Sequence, residues 1–419
     1  MSRFGFAIMF ALFAVAALPA ADWPHWRGPN RDGVAPGLSF PEKWPAEPPK
    51  ELWKANIGLG YSGPAIVGDK LFILSRVEKN ERGLALDANT GKELWKLEYP
   101  EPFRAPDPTA GKGPNATPCV DGDRVYMLGL GGKLHCLGTE KGNVLWKHDC
   151  LKEYWGVKVT PIMGDDWFPP CGASASPLMD GQHVLIPIGG ANAGAFTAFN
   201  RDTGEIAWKA LTDRSSYASP AIASPGGVKQ VIGFTGTRMV GLRHSDRELL
   251  WDVPFKARFE QTIISPVVWK DLVIVAGEGR ATTAVRIKES GGKVTKETAW
   301  TSDDLKCYLT TPVQFQDHLV GYDMRTSRLV CLSLETGEVA WTSPRTPGKY
   351  HSLVLAGDVC LCLNSEGELT VFRATTKEYQ EVVKWTLAEK GTWAHLAVAN
   401  GRLFIKGKEN LFCYPLPKS

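Results

Sequence analysis

Adjacent carboxylates at Asp165 and Asp166 are the first chemistry the chain offers. Two acids side by side can share a hard cation such as Ca2+, but adjacent acidic residues are usually solvated surface. They stand in a stretch, 148–175, that also carries Trp155 and Trp167. A second stretch, 98–116, holds Arg104, Asp107, Lys112 and Asn115. Tyr217, His351 and His395 add hydrogen-bonding side chains elsewhere. Together these eleven residues form the candidate ligand-binding set. No His or Cys spacing suggests zinc, no C-x-x-C-H suggests haem attachment, and no G-x-S-x-G suggests a hydrolase. No metal ligand set and no catalytic residue is assigned. Cys150 and Cys171 are placed so that oxidation would close a loop of roughly 20 residues, worth about 3 kcal/mol.

The elements that must position these residues come from a repeat. Segments "ALDANTGKELW" (85–95), "CLGTEKGNVLW", "AFNRDTGEIAW" and "CLSLETGEVAW" each read as a short strand, a tight turn with Gly, and a strand ending in Trp. Trp53, Trp95, Trp146, Trp208, Trp251, Trp300, Trp341 and Trp385 recur at this place. In phase with them, a small polar residue or Gly precedes Pro at Pro64, Pro118, Pro177, Pro220, Pro266 and Pro312; Leu353 and Leu396 replace it in two units. Proline at the first position of a strand removes no ladder hydrogen bond. Two more short strands fit between the markers. Units of four antiparallel strands, repeated every 40 to 50 residues, predict an all-β fold, an eight-bladed β-propeller.

Trp53 precedes the first strand A, and the last unit supplies only strands A to C. The N-terminal strand is therefore expected to close the last blade. The eight Trp are read as structural anchors docking between blades, opposite a small residue on strand C such as Ala85, Cys136, Ala198, Gly241, Cys331 or Cys413. In a propeller the D–A and B–C loops share one face. Two consecutive D–A loops are long, and they are the two stretches above, so that face is the expected binding face. Polar residues just before strand A, including Tyr61, Ser62, Thr117, Ser176, Ser219 and Thr310, should ring its mouth. "WPHWRGPNRDG", with Trp23, His25, Trp26, Arg27 and Asp32, precedes the ring and is expected to brace it or touch a ligand.

The organisation is then a signal peptide (1–21), an N-terminal extension packing on the propeller (22–49), and the propeller (50–419). Residues 1–21 hold Arg3, an apolar run from Phe4 to Leu18, and Ala20–Ala21, the layout of a cleaved secretory signal. The run is short of the roughly 20 residues that span a bilayer, and no membrane span is expected. Export to the periplasm or beyond follows. The formal charge of +3 has no basic stripe, so nucleic acid is not an expected partner. A monomer is expected.

These units resemble the pyrroloquinoline-quinone (PQQ) repeat, roughly A-x-D-x-x-T-G-x-x-x-W. The opening "DWPHWRGPNRDG" resembles exported bacterial PQQ-like propeller proteins. The resemblance implies one of two roles. Quinoprotein dehydrogenases hold PQQ in the channel with Ca2+ and an Asp base; non-enzymatic propellers bind partners. No adjacent Cys pair and no transferable Asn/Asp/Glu cluster appears here. The favoured expectation is a non-enzymatic scaffold that takes a protein, peptide or carbohydrate on the long-loop face. A PQQ- and Ca2+-dependent alcohol or sugar dehydrogenase with a diverged site is the alternative.

Overall fold

The computed structural model describes residues 21–102, 113–155, 171–189, 194–257 and 261–418. It is an eight-bladed propeller. Blade 1 shows the plan: strand A Ala65–Val67, B Lys70–Val77, C Asn80–Asp87 and D Glu93–Pro100, all antiparallel. Blades 2 to 7 repeat it over 119–149, 178–210, 221–254, 267–302, 313–345 and 351–386. Blade 8 takes strands A to C from 397–415 and strand D from Trp53–Asn56. There Trp53 lies opposite Cys413 and Ala55 opposite Leu411, so the two ends of the ring are zipped together as expected. Closure leaves no blade as the end of a stack, which is how a propeller limits exposed edges.

The Trp anchors act across blade boundaries. Within its own blade each indole faces a small residue on strand C, for example Trp95 opposite Ala85 and Trp251 opposite Gly241. Blade 7 differs, with Leu369 opposite Trp385. The indole then leans on the next blade's C–D turn. Trp53, Trp95, Trp146, Trp300 and Trp341 donate Nε1–H to the carbonyls of Ala88, Thr139, Arg201, Leu334 and Thr375 at 2.7–3.0 Å. The turn glycine is held there by two demands. Gly142 has φ +65°, and a Cβ would stand 2.5 Å from Trp95. The sequence pattern shows the first demand and conceals the second.

Three anchors deviate, each for a visible reason. Trp251 donates Nε1–H to Gln230 Oε1 within its own blade at 2.6 Å. Trp208 is half-buried, with Nε1 unpartnered and the Arg247 guanidinium 4.5 Å over its ring. Blade 8 has no C–D hairpin, because its strand D comes from the other chain end. Trp385 therefore donates to the carbonyls of Pro45 and Ala46 instead, with Trp44 5.4 Å away and Phe40 behind it. Residues 40–46 stand in for the missing turn.

The preceding segment, 22–35, runs through the middle of the ring. Strand A is the inner edge of each blade, and its free side faces the axis. Trp23 exchanges two backbone hydrogen bonds of 2.8 Å with Ile66 of blade 1. The Pro24 carbonyl accepts from Val120 of blade 2. Val34–Ala35 then pairs in parallel with Leu355–Ala356, a fifth strand on the inner edge of blade 7. Arg31 reaches the Pro177 carbonyl of blade 3 and Val34 pairs with blade 7, four steps round the ring, so the segment crosses the bore.

Candidate functional site

The bore and its long-loop mouth are built in layers. One residue before the strand-A marker, blades 2 to 7 carry Thr117, Ser176, Ser219, Ser265, Thr311 and Ser352. Their hydroxyls staple neighbouring blades. Ser176 Oγ accepts the Thr117 N–H, Ser219 Oγ accepts that of Ser176, and Thr311 Oγ1 that of Ser265, each at 2.9–3.0 Å. Ser352 Oγ accepts from Leu396, and Thr310 Oγ1 from His351. Such bonds satisfy backbone donors where the chain leaves one blade for the next. The polar character that suggested a wet, ligand-ready channel is thus largely consumed in holding the ring. The signal was present in the sequence as the Ser/Thr of each S-P and T-P pair, which reads at first only as a strand start.

Side chains of the 22–35 segment rise to the same layer. Trp26 Nε1 donates to Ser265 Oγ at 2.9 Å. Arg27 donates to the carbonyls of Thr311, Pro312 and Asp32 at 2.7–3.0 Å, and Arg31 to those of Pro177 and Ser176. His395 lies between the rings of Trp23 and Trp26, with centroids 6.5 and 5.0 Å away. Burial, with Arg27 adding repulsion, pushes its pKa down to about 3. Burial does the same to His25, to about 3, and holds Arg27 and Arg31 at about 10.

The candidate residues separate clearly. Arg104, Asp107, Lys112, Asp165, Asp166 and Trp167 lie outside the described residues, as does the signal segment 1–20. Trp155 ends a six-residue helix, Cys150–Trp155, that opens the second long loop. Asp149 and Glu153 cap that helix reciprocally: Asp149 Oδ1 accepts the Lys152 N–H and Glu153 Oε1 that of Asp149. Asn115 is half-buried at the mouth and donates to Ser174 Oγ at 2.9 Å, tying the ends of both long loops together. Tyr217, nearby and buried, accepts the Cys171 N–H on its hydroxyl. His351 is no mouth residue: 1% exposed, it stacks 3.7 Å from Tyr322 and contacts Thr346 Oγ1. His395 belongs to the bore.

In this structure Cys150 and Cys171 are not bridged to each other, and no disulfide links any of the nine Cys. Cys150 is buried in a cluster with Leu130, Cys136 and Ala173, whereas Cys171 faces Tyr217 and Gln261. The two sulfurs therefore point to different environments.

A buried ionic network, unforeseen from sequence, roots the first long loop. Arg76 and Glu81 pair at 3.2 Å with both side chains fully enclosed. Tyr99 donates to Glu81, and Lys133 pairs with Glu101 at 2.9 Å. Burial, then the neighbouring Glu101, raises the Glu81 pKa.

A family model described as "Outer membrane protein assembly factor BamB", of the PQQ-repeat type, matches residues 80–343. The chain belongs to this family. Over 151 residues it is 28% identical to quinohemoprotein alcohol dehydrogenase ADH IIB of Pseudomonas putida, covering 33% of this chain and 19% of that protein. Over 211 residues it is 25% identical to outer membrane protein assembly factor BamB of Burkholderia pseudomallei (strain K96243), covering 49% and 46%. The chain thus spans less than half the length of these curated relatives. The fold matches quinohemoprotein alcohol dehydrogenase from Comamonas testosteroni with TM-score 0.60 at 12% identity, over 97% of this chain and 83% of that one. It matches the computationally designed Ika8 protein with TM-score 0.62 at 10% identity, over 88% and 100%. The WD40 domain of Sif2 gives 0.56 at 11%, over 89% and 100%.

The family raises the question of PQQ with Ca2+. Calcium takes six to eight oxygen ligands, several of them carboxylates. Among the described residues no three His, Cys, Asp or Glu side chains stand together as a metal site. The bore instead presents two guanidinium groups, which repel a cation. These residues do not fit a Ca2+-quinone site. Nor is any helix among the described residues long and apolar enough to cross a membrane.

Proposed function

We propose that this family member is an exported, non-enzymatic scaffold that binds a protein partner through its long-loop face. The carrying observation is the occupied bore: residues 22–35 hydrogen-bond to six blades and place Arg27 and Arg31 at the layer where the channel opens to the mouth. Catalysis on a quinone needs an acid cluster and a slot; scaffolding needs a rigid ring carrying adaptable loops. The two consecutive long loops are joined at their roots through Asn115 and Ser174, so they form one platform. The match to an assembly factor supports a protein partner over a peptide or carbohydrate, and the apolar leader supports export.

The test is titration of the purified protein with PQQ and Ca2+, read by absorbance and by dye-coupled oxidation of primary alcohols and sugars, beside pull-down from an envelope fraction. The expected result is no quinone chromophore, no turnover, and partner capture that is lost when 103–112 and 156–170 are replaced by short Gly/Ser linkers. Micromolar PQQ binding with turnover would overturn the reading and support the dehydrogenase alternative, to which the 28% identity with ADH IIB lends weight.

A further inference from the structure

In three blades strand C opens with a hydrogen-bond donor, and the preceding blade supplies its carboxylate. Lys133 opens it in blade 2 and pairs at 2.9 Å with Glu101, just past strand D of blade 1. Arg238 opens it in blade 4 and donates at 2.8 Å to each oxygen of Asp213, just past strand D of blade 3. Asn410 opens it in blade 8 and donates at 3.3 Å to Glu389, just past strand D of blade 7. Blade 5 also opens with a cation, Arg280. Strand D of blade 4, however, is followed by Phe255, Lys256 and Ala257, none of them an acid. Arg280 is exposed and has neither ion pair nor hydrogen bond among the described residues; its guanidinium lies 5.6 Å over the Phe255 ring.

A cleft of about 310 Å³ stands at this junction. It is lined from strand D of blade 4 and from the B–C and D–A loops of blade 5, so it opens on the face that carries the long loops. Val253 and Phe255 form an apolar wall. A Cβ at Gly277 would stand 2.8 Å from the Phe255 ring, so that ring is seated firmly against blade 5. Arg280 and Lys306 bring two cations to the cleft against one acid, Asp303, which Lys306 bonds at 2.8 Å. Thr283 and Thr301 add two hydroxyls, 3.2 Å apart. A guanidinium resting on an aromatic face spends no N–H donor there and keeps its fork for a planar carboxylate. Hydroxyls, an acid and a lysine beside an apolar wall match a ring that bears O–H groups at its rim and C–H groups on its face. The volume is at the lower end for ligand clefts and suits a single ring.

We propose that the cleft between blades 4 and 5 binds a sugar acid of monosaccharide size, a uronate. Its carboxylate takes on Arg280 the place that a neighbouring blade's acid fills at other junctions. Its hydroxyls meet Thr283, Thr301 and Asp303, and its C–H face lies toward Val253 and Phe255. The site uses residues of blades 4 and 5 alone, so it stands whether or not the long loops take a protein partner.

The test is saturation-transfer NMR on the whole protein, titrated with glucuronate, glucose and N-acetylglutamate α-amide. Glucose lacks the carboxylate; the blocked glutamate keeps a carboxylate without the sugar hydroxyls and stands in for an acidic side chain of a protein. Saturable binding of glucuronate is expected, with the other two probes at least about tenfold weaker. Arg280→Gln should weaken glucuronate about tenfold or more, because a charge-assisted, two-pronged contact is lost. As Arg280 is exposed, its thermal midpoint should stay within about 1 °C of the wild type. Thr301→Val, also at an exposed position, should weaken glucuronate severalfold and gives a second, independent variant. No saturable transfer to glucuronate, glucose binding as tightly as glucuronate, or undiminished binding in Arg280→Gln would overturn the proposal. So would equal or tighter binding of the blocked glutamate, which would assign the cleft to a protein's acidic side chain.

Discussion

Replacing single Trp anchors by Phe should separate two kinds of blade junction. Phenylalanine keeps most of the ring and deletes the indole N–H. At Trp95 that deletion orphans the carbonyl of Thr139, which is 7% exposed and receives the indole at 2.9 Å. At Trp300 it orphans the fully buried Leu334 carbonyl, bonded at 2.8 Å. A buried acceptor left unpaired costs about 1–3 kcal/mol. At Trp208 no such bond exists, and Arg247 can still lie over the smaller ring. Ring contraction is common to all three variants and should cost less than about 1.5 kcal/mol. Unfolding entropy of about 2.1 cal/mol/K per residue gives roughly 0.85 kcal/mol/K for a ring of this size. The orphaned carbonyl is therefore worth an extra fall of about 1–4 °C in melting temperature. Differential scanning calorimetry should find Trp95→Phe and Trp300→Phe lower than Trp208→Phe by that margin. A Trp208→Phe variant that melts as low as the other two would refute the assignment of junction stability to the interblade N–H bond.

Acid should destabilise the ring earlier than its carboxylates titrate. His25, His351 and His395 are held down to about 3 and His135 to about 4, chiefly by burial. Their native pKa values lie below the unfolded value, so the unfolded chain takes up protons first. Stability is full above about pH 6.5 and falls as pH drops toward 3–4, by at most about 1.4 kcal/mol per pH unit for each histidine; denaturant midpoints unchanged between pH 7 and 5 would contradict this. Arg76→Met should cost about 3–5 kcal/mol by stranding the Glu81 carboxylate, and adding Glu81→Gln should recover part of that loss in a double-mutant cycle. Trp44→Ala should cost about 3–5 kcal/mol despite lying outside the ring, because it packs on Trp385 beside the substitute turn. Thiol titration in denaturant without reductant should count nine free Cys; seven would mean that Cys150 and Cys171 are bridged.

The ring itself was legible because each blade repeats a local grammar. The T-G turn, the Trp and the strand-opening Pro are set by backbone geometry within a few residues, and they report blade number and closure directly. The site was less legible because its bonds are long-range. Nothing near Arg27 in sequence indicates that it will bind the carbonyls of Thr311 and Pro312, some 284 residues away. The Arg76–Glu81 pair hides in ordinary strand residues and becomes a network only when blade 2 brings Leu130 and Lys133 against it. His351 and Tyr217 were singled out by their place before strand A; packing then buried His351 against Tyr322, which the position alone does not encode. Pro45 and Ala46 show a further limit: their role exists only because another blade lacks its turn.

Residues 22–35 fill the bore, and hydrogen exchange read by mass spectrometry tests that most directly. The Trp23 N–H bonds to Ile66, the Gly33 N–H to Arg27, and the Gly33 carbonyl accepts from Leu355. A peptide covering 22–35 is predicted to exchange as slowly as the strand-A peptides around it. Exchange of that peptide at the rate of an unstructured chain, with the blades still protected, would contradict the account.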